Sequence, residues 1–78
     1  MRTSWGDLVR ARLGLTPGEL FTPGQAAEII CLSAAKVRRD IETGLMPATD
    51  VNGGYGRANW RLTRGDITDY IDRVEKDA

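Results

Sequence analysis

Lys36, Arg38 and Arg39 fall within four consecutive positions, and Arg57, Asn59 and Arg61 recur at every second position further along the chain. Lys and Arg on a helix that enters a DNA major groove reach guanine O6 and N7 or the phosphate oxygens. Gly53, Gly54 and Gly56 precede the second group, and a backbone without Cβ atoms comes close to a phosphate. Each group has a plainer reading: a solvated helix face paired with Asp40 and Glu42, and a flexible turn whose glycines serve geometry alone. Contact is the reading that fits the first group if it lies on the second helix of a helix-turn-helix. For the second, three glycines in four residues exceed what a tight turn needs. Gly53-Gly54-Tyr55-Gly56 also lacks the Lys-Ser/Thr of a nucleotide-binding loop and opens no helix after a strand.

Other chemistries are poorly supplied. The 78 residues include no histidine, the commonest general base, and no carboxylate pair stands out in its place. The single Cys31 makes neither an internal disulfide nor a Cys/His zinc site. Set in Ile29-Ile30-Cys31-Leu32, it is expected to be a small buried hydrophobe in a reducing compartment. No apolar run approaches the roughly 18–20 residues of a membrane span, and no signal-peptide core is visible at the N-terminus. The expectation is a soluble, intracellular, non-enzymatic domain without cofactor or metal. A chain this short buries only about 60–65% of its unfolded surface, so its core is marginal.

Eleven Lys and Arg against eleven Asp and Glu give zero net charge, which on its face argues against nucleic acid. The distribution says otherwise. Residues 33–64 hold six basic side chains (Lys36, Arg38, Arg39, Arg57, Arg61, Arg64) against three acidic ones, whereas residues 65–78 hold two against five. The chain is a dipole along its sequence, and the fold decides whether it is one in space.

The elements that must position these residues are legible from periodicity and caps. Trp5, Leu8, Val9 and Leu13 lie at helical spacing, with Arg10 and Arg12 on the other side, predicting a short amphipathic helix ended by Gly14. A connector follows to Leu20, so residues 1–20 read as an appendage to a domain over residues 21–78. Thr22-Pro23-Gly24-Gln25 combines an N-cap, a first-turn proline and a residue able to bond back to the cap. That helix is expected to run to about Cys31. Ser33 caps a second helix through Thr43, with Gly44 in a left-handed position beyond it. On a helical wheel Ala34, Val37 and Ile41 form the inward stripe, and Arg39 lies opposite, flanked by Ala35, Lys36 and Thr43. Arg38 falls at the stripe's border, with Asp40 and Glu42 to the sides. Leu45–Val51 and Arg57–Leu62 flank Asn52-Gly53-Gly54, a hairpin signal. Strict alternation sends Trp60 and Ala58 inward and Arg57, Asn59 and Arg61 outward. Tyr55 at the tip either packs on DNA sugars or covers the turn. Thr63-Arg64-Gly65-Asp66 opens a last helix with Ile67, Tyr70, Ile71 and Val74 inward and Asp66, Asp69, Asp72 and Glu75 outward. The predicted fold is mainly α with a small β-hairpin wing: a winged helix-turn-helix plus an N-terminal helix.

Phe21 to Ile30, Leu32-Ser33 through Val37, Ile41, Gly44-Leu45-Met46-Pro47-Ala48, Trp60-Arg61-Leu62, Asp66-Ile67 and Tyr70-Ile71 together resemble the excisionase-type, MerR-like winged helix-turn-helix domains. The resemblance covers residues 21–73. It implies a phage excisionase, a recombination directionality factor that binds and bends attachment-site DNA and biases a partner integrase towards excision. Such proteins act in the cytoplasm of the host bacterium, on its nucleoid. The resemblance places the reading helix at Ser33–Thr43, with Ser33, Ala35, Lys36, Arg38, Arg39 and Thr43 at the DNA and Lys36 and Arg39 foremost. It places the wing at Asn52–Arg61, with Gly53, Gly54, Tyr55, Arg57, Asn59 and Arg61. The N-terminal helix lies outside the family pattern. Trp5 is expected either to cover a domain edge or to insert into a neighbouring subunit. In the second case Trp5, Leu8, Val9 and Leu13 form a subunit contact, and copies array head to tail on DNA against an acidic last helix. MerR-type regulators continue into a long dimerisation helix while this chain ends at Ala78, which favours the architectural role. The alternatives are a small helix-turn-helix transcriptional regulator and a protein-interaction module whose basic face docks an acidic partner.

Overall fold

The computed structural model describes residues 4–77. In chain order it consists of helix α1 (Trp5–Leu15), strand β1 (Leu20–Phe21), helices α2 (Pro23–Ile30) and α3 (Ala34–Glu42), strands β2 (Thr49–Asp50) and β3 (Trp60–Thr63), and helix α4 (Arg64–Asp77). The chain is therefore mostly helical, with four helices around a three-stranded antiparallel sheet of order β1-β3-β2. No helix among the described residues is long and apolar enough to cross a membrane.

The helix starts follow from their caps. Thr22 Oγ1 accepts from Gln25 N at 3.2 Å while Gln25 Oε1 accepts from Thr22 N at 2.9 Å, a reciprocal pair that satisfies two otherwise unpaired donors. Thr63 and Asp66 repeat the pattern at α4, at 3.1 and 3.0 Å. Ser33 and Ser4 cap α3 and α1 through single bonds to Lys36 N and Asp7 N. Gly44 follows α3 at φ +83°, a conformation in which a Cβ is strained.

Several expectations are corrected. Helix α1 runs through Gly14 to Leu15, because its last carbonyls find partners further on. Thr16 Oγ1 donates to Arg12 O at 2.8 Å, and the Arg64 guanidinium donates to Leu13 O at 2.7 Å, to Gly18 O at 2.9 Å and to Thr16 O. The stretch read as a pure connector contributes β1, which pairs with β3 at Leu20↔Thr63 and Phe21↔Leu62. Cys31 is exposed: it ends α2 at φ +60°, and that left-handed step turns its side chain outward while Ile29 and Ile30 take the interior. The hairpin is short. Only Thr49↔Arg61 and Asp50↔Trp60 pair, extended by Val51 N to Asn59 O at 3.0 Å, and a wide loop leaves Ala58 exposed.

One core joins both halves of the chain. Val9 and Leu13 of α1 are buried with Phe21, Ala26, Ala27, Ile29 and Ile30, with Val37 and Ile41, with Met46 and Leu62, and with Ile67, Tyr70 and Ile71. Residues 4–20 are thus part of the domain rather than an appendage, since the α1 stripe covers α2 and α4. Trp60 and Val74 are half-buried at its edge.

Candidate nucleic-acid interface

Helix α3 presents its outward face because Val37 and Ile41 are taken by the core. Ala35, Lys36, Arg38, Arg39, Glu42 and Thr43 are all exposed, and Ala34 is half-buried. The Ser33 hydroxyl serves as the cap, accepting from Lys36 N at 3.1 Å. Thr43 Oγ1 donates back to Asp40 O at 3.3 Å. The C-terminal end of α3 is tied to α4 by Arg73, which donates to Gly44 O and Leu45 O at 3.3 and 3.1 Å.

Asp40, expected at the side of the helix, is buried at 4% exposure. It accepts from Tyr70 Oη at 2.7 Å and from Lys36 Nζ at 3.0 and 3.3 Å. Burial alone would push its pKa up. The bonds from Tyr70 and Lys36 and the charges of Lys36 and Arg39 outweigh that penalty and hold the carboxyl below the ordinary aspartate value. Burial, then the same hydrogen bond and the Asp40 charge, push the Tyr70 phenol well above its usual value. Lys36 is thus engaged by its own helix.

The loop between β2 and β3 is built around Asp50, a residue the sequence reading passed over. Its Oδ1 accepts from Asn52 N at 3.0 Å and Asn59 N at 2.9 Å, and its Oδ2 accepts from Gly54 N at 3.2 Å. These bonds, from Asn59 and Asn52 above all, hold the carboxyl below its ordinary pKa. Asn52 Nδ2 closes the loop on Arg57 O at 2.8 Å. Gly53, Gly54 and Gly56 all have positive φ, so turn geometry accounts for them. They and Arg57 are exposed, and Tyr55 stands out at 85% exposure, covering nothing. Asn59 and Arg61 are half-buried and occupied with each other: Arg61 Nη1 donates to Asn59 Oδ1 at 2.7 Å and to Trp60 O at 2.8 Å.

The expected subunit contact is taken apart by the fold. Val9 and Leu13 lie inside this chain's own core, and Trp5 is half-buried, donating from Nε1 to Ile30 O at 2.9 Å with its ring edge-on to Tyr70. Leu8 alone of the four is exposed. Arg10, expected on the outer side of α1, bridges to Asp72 at 2.5 Å and Glu75 at 2.9 Å, bonds that raise its pKa. The acidic face of α4 is therefore partly neutralised within the chain. Asp69 pairs with Arg73, and Asp66 is spent on the cap.

Among the six basic side chains of residues 33–64, three are committed: Lys36 to Asp40, Arg61 to Asn59, and Arg64 to the backbone after α1. Arg38, Arg39 and Arg57 have no intramolecular partner among the described residues. No three His, Cys, Asp or Glu side chains among those residues gather as metal ligands. The Asp50 anchor had a local signal in Asp-x-Asn-Gly, an Asx-type turn. Arg64 had none, because its acceptors lie far away in sequence. No family model, curated protein or solved structure matches this chain.

Proposed function

We propose that this protein is a winged helix-turn-helix DNA-binding protein in which α2 and α3 form the helix-turn-helix and the β2–β3 loop is the wing. One observation carries the reading. The cations of the basic segment left without a partner among the described residues, Arg38, Arg39 and Arg57, stand on the outward face of α3 and on a glycine-rich loop. Two short helices joined by a three-residue corner support this reading, since the second helix of a helix-turn-helix is the one that enters a major groove. Arg39, opposite the buried stripe, faces base edges, while Arg38 at its border and Arg57 on the wing reach phosphates.

Within that class we assign the chain to the excisionase-type architectural factors, which bend attachment-site DNA and direct a phage integrase towards excision. The resemblance over residues 21–73 supports this assignment. Fluorescence anisotropy against salt tests the DNA-binding part, because affinity should fall by a log–log slope of about 0.9 per phosphate neutralised. Absence of binding at low salt on any duplex would sink it. A circular-permutation assay tests the excisionase part, and a bound but unbent attachment site would overturn that part alone.

A further inference from the structure

The outward face of α3 carries three cations in sequence but not three in electrostatic effect. Lys36 Nζ lies 3.0 Å from Asp40 Oδ2 and 3.3 Å from Oδ1, both oxygens of a carboxylate that is almost wholly removed from solvent. Among the described residues, the one other side chain bonded to the Asp40 carboxylate is Tyr70, a neutral donor. Moving the Lys36 ammonium to a phosphate would strand the Asp40 charge in the interior, where an unpaired ion is costly. Arg38 and Arg39 are bonded to no carboxylate among the described residues, and the Arg39 charge favours the Asp40 carboxylate only through space, less than Lys36 does.

We infer that Asp40 is a positioning residue that withholds Lys36 from DNA as an internal counter-charge and leaves Arg38 and Arg39 as the cations α3 presents. This inference rests on the DNA-binding reading above. It turns a basic cluster into a selected one, with Asp40 setting how many phosphates the helix engages. Asp40 touches α4 through Tyr70, so the same carboxylate fixes both the helix and the cation on it.

The test is the salt dependence of duplex affinity for the full chain and two variants. Asp40→Asn frees Lys36 and should steepen the log–log slope by about 0.9, the increment of one added phosphate contact. Lys36→Gln/Asp40→Asn, which replaces the pair by neutral groups of similar shape, should keep the wild-type slope. A double variant shallower by about 0.9 would mean that Lys36 already meets a phosphate, and it would overturn the inference, as would an unsteepened Asp40→Asn. Should either variant fail to fold by circular dichroism, the wild type decides. Lys36 and Lys76 are the two lysines of the chain, so their Nζ resonances are readily assigned. A 15N–31P coupling at Lys36 in the complex overturns the inference, and none is expected. If the wild type binds no duplex at low salt there is no slope to compare, and the DNA-binding reading itself has failed.

Discussion

At Cys31 the chain leaves α2 with φ +60°, a region that costs a residue with a Cβ roughly 1–2 kcal/mol. The apolar neighbours of Cys31 predict burial, yet burial follows the direction in which a side chain leaves the backbone, and a left-handed residue points away. Cys31→Gly should therefore stabilise the fold by about 0.5–1 kcal/mol, after allowing for glycine's greater loss of chain entropy, as a higher urea midpoint. Asp40 and Tyr70 make a second prediction at this scale. A carboxyl held below its unfolded value of about 3.9 adds stability that is complete above that pH and lost as pH falls through the lower folded value. Wild type should weaken below about pH 4. Asp40→Asn should be less stable than wild type at pH 7, and the gap should narrow as pH falls below about 4, compared by urea midpoints. The raised phenol acts oppositely: its contribution is present below about pH 10 and lost above it, a loss that Tyr70→Phe should remove. None of this was legible from Asp40 alone, because its partner on α4 lies thirty residues away.

At the scale of elements, what could be read was what is local. Thr22 with Gln25, Ser33 with the amide of Lys36, and Thr63 with Asp66 each close within one turn, so the starts of α2, α3 and α4 follow from short stretches of sequence. The inward stripe of α3 followed from its period, and with it the exposure of Arg38 and Arg39. Strand β1 was not readable: two residues show no alternation, and their partners Leu62 and Thr63 come some forty residues later. The loop between β2 and β3 was readable as a turn but not as an ordered one, since its order comes from one carboxylate receiving three backbone amides. Asp50→Ala should release that loop without unfolding the domain. Amide exchange at Asn52, Gly54 and Asn59 should accelerate while the melting temperature moves little, whereas unchanged protection would assign the loop's order elsewhere.

At the scale of the whole molecule, the stripe Trp5-Leu8-Val9-Leu13 shows why a hydrophobic period does not name its partner. The same spacing serves a neighbour's surface or the chain's own interior, and here α2 and α4 claim Trp5, Val9 and Leu13 while Leu8 stays exposed. Leu13→Ala should cost roughly 2–5 kcal/mol, a large share of the stability of so small a domain, seen as a lowered urea midpoint. Removing residues 1–15 should unfold the protein rather than merely detach it from neighbours, and a cooperative melt from that truncation would refute the packing described. The central strand carries a further consequence, in the order of synthesis. Because β3 lies between β1 and β2, and α4 supplies both Tyr70 and the acids that hold Arg10, nothing made before residue 60 can close the core. A nascent chain emerging from the ribosome can pack α2 against α1 and α3 but must carry uncovered the sides that β3 and α4 close, and a stall within that interval would leave a sticky, protease-sensitive fragment.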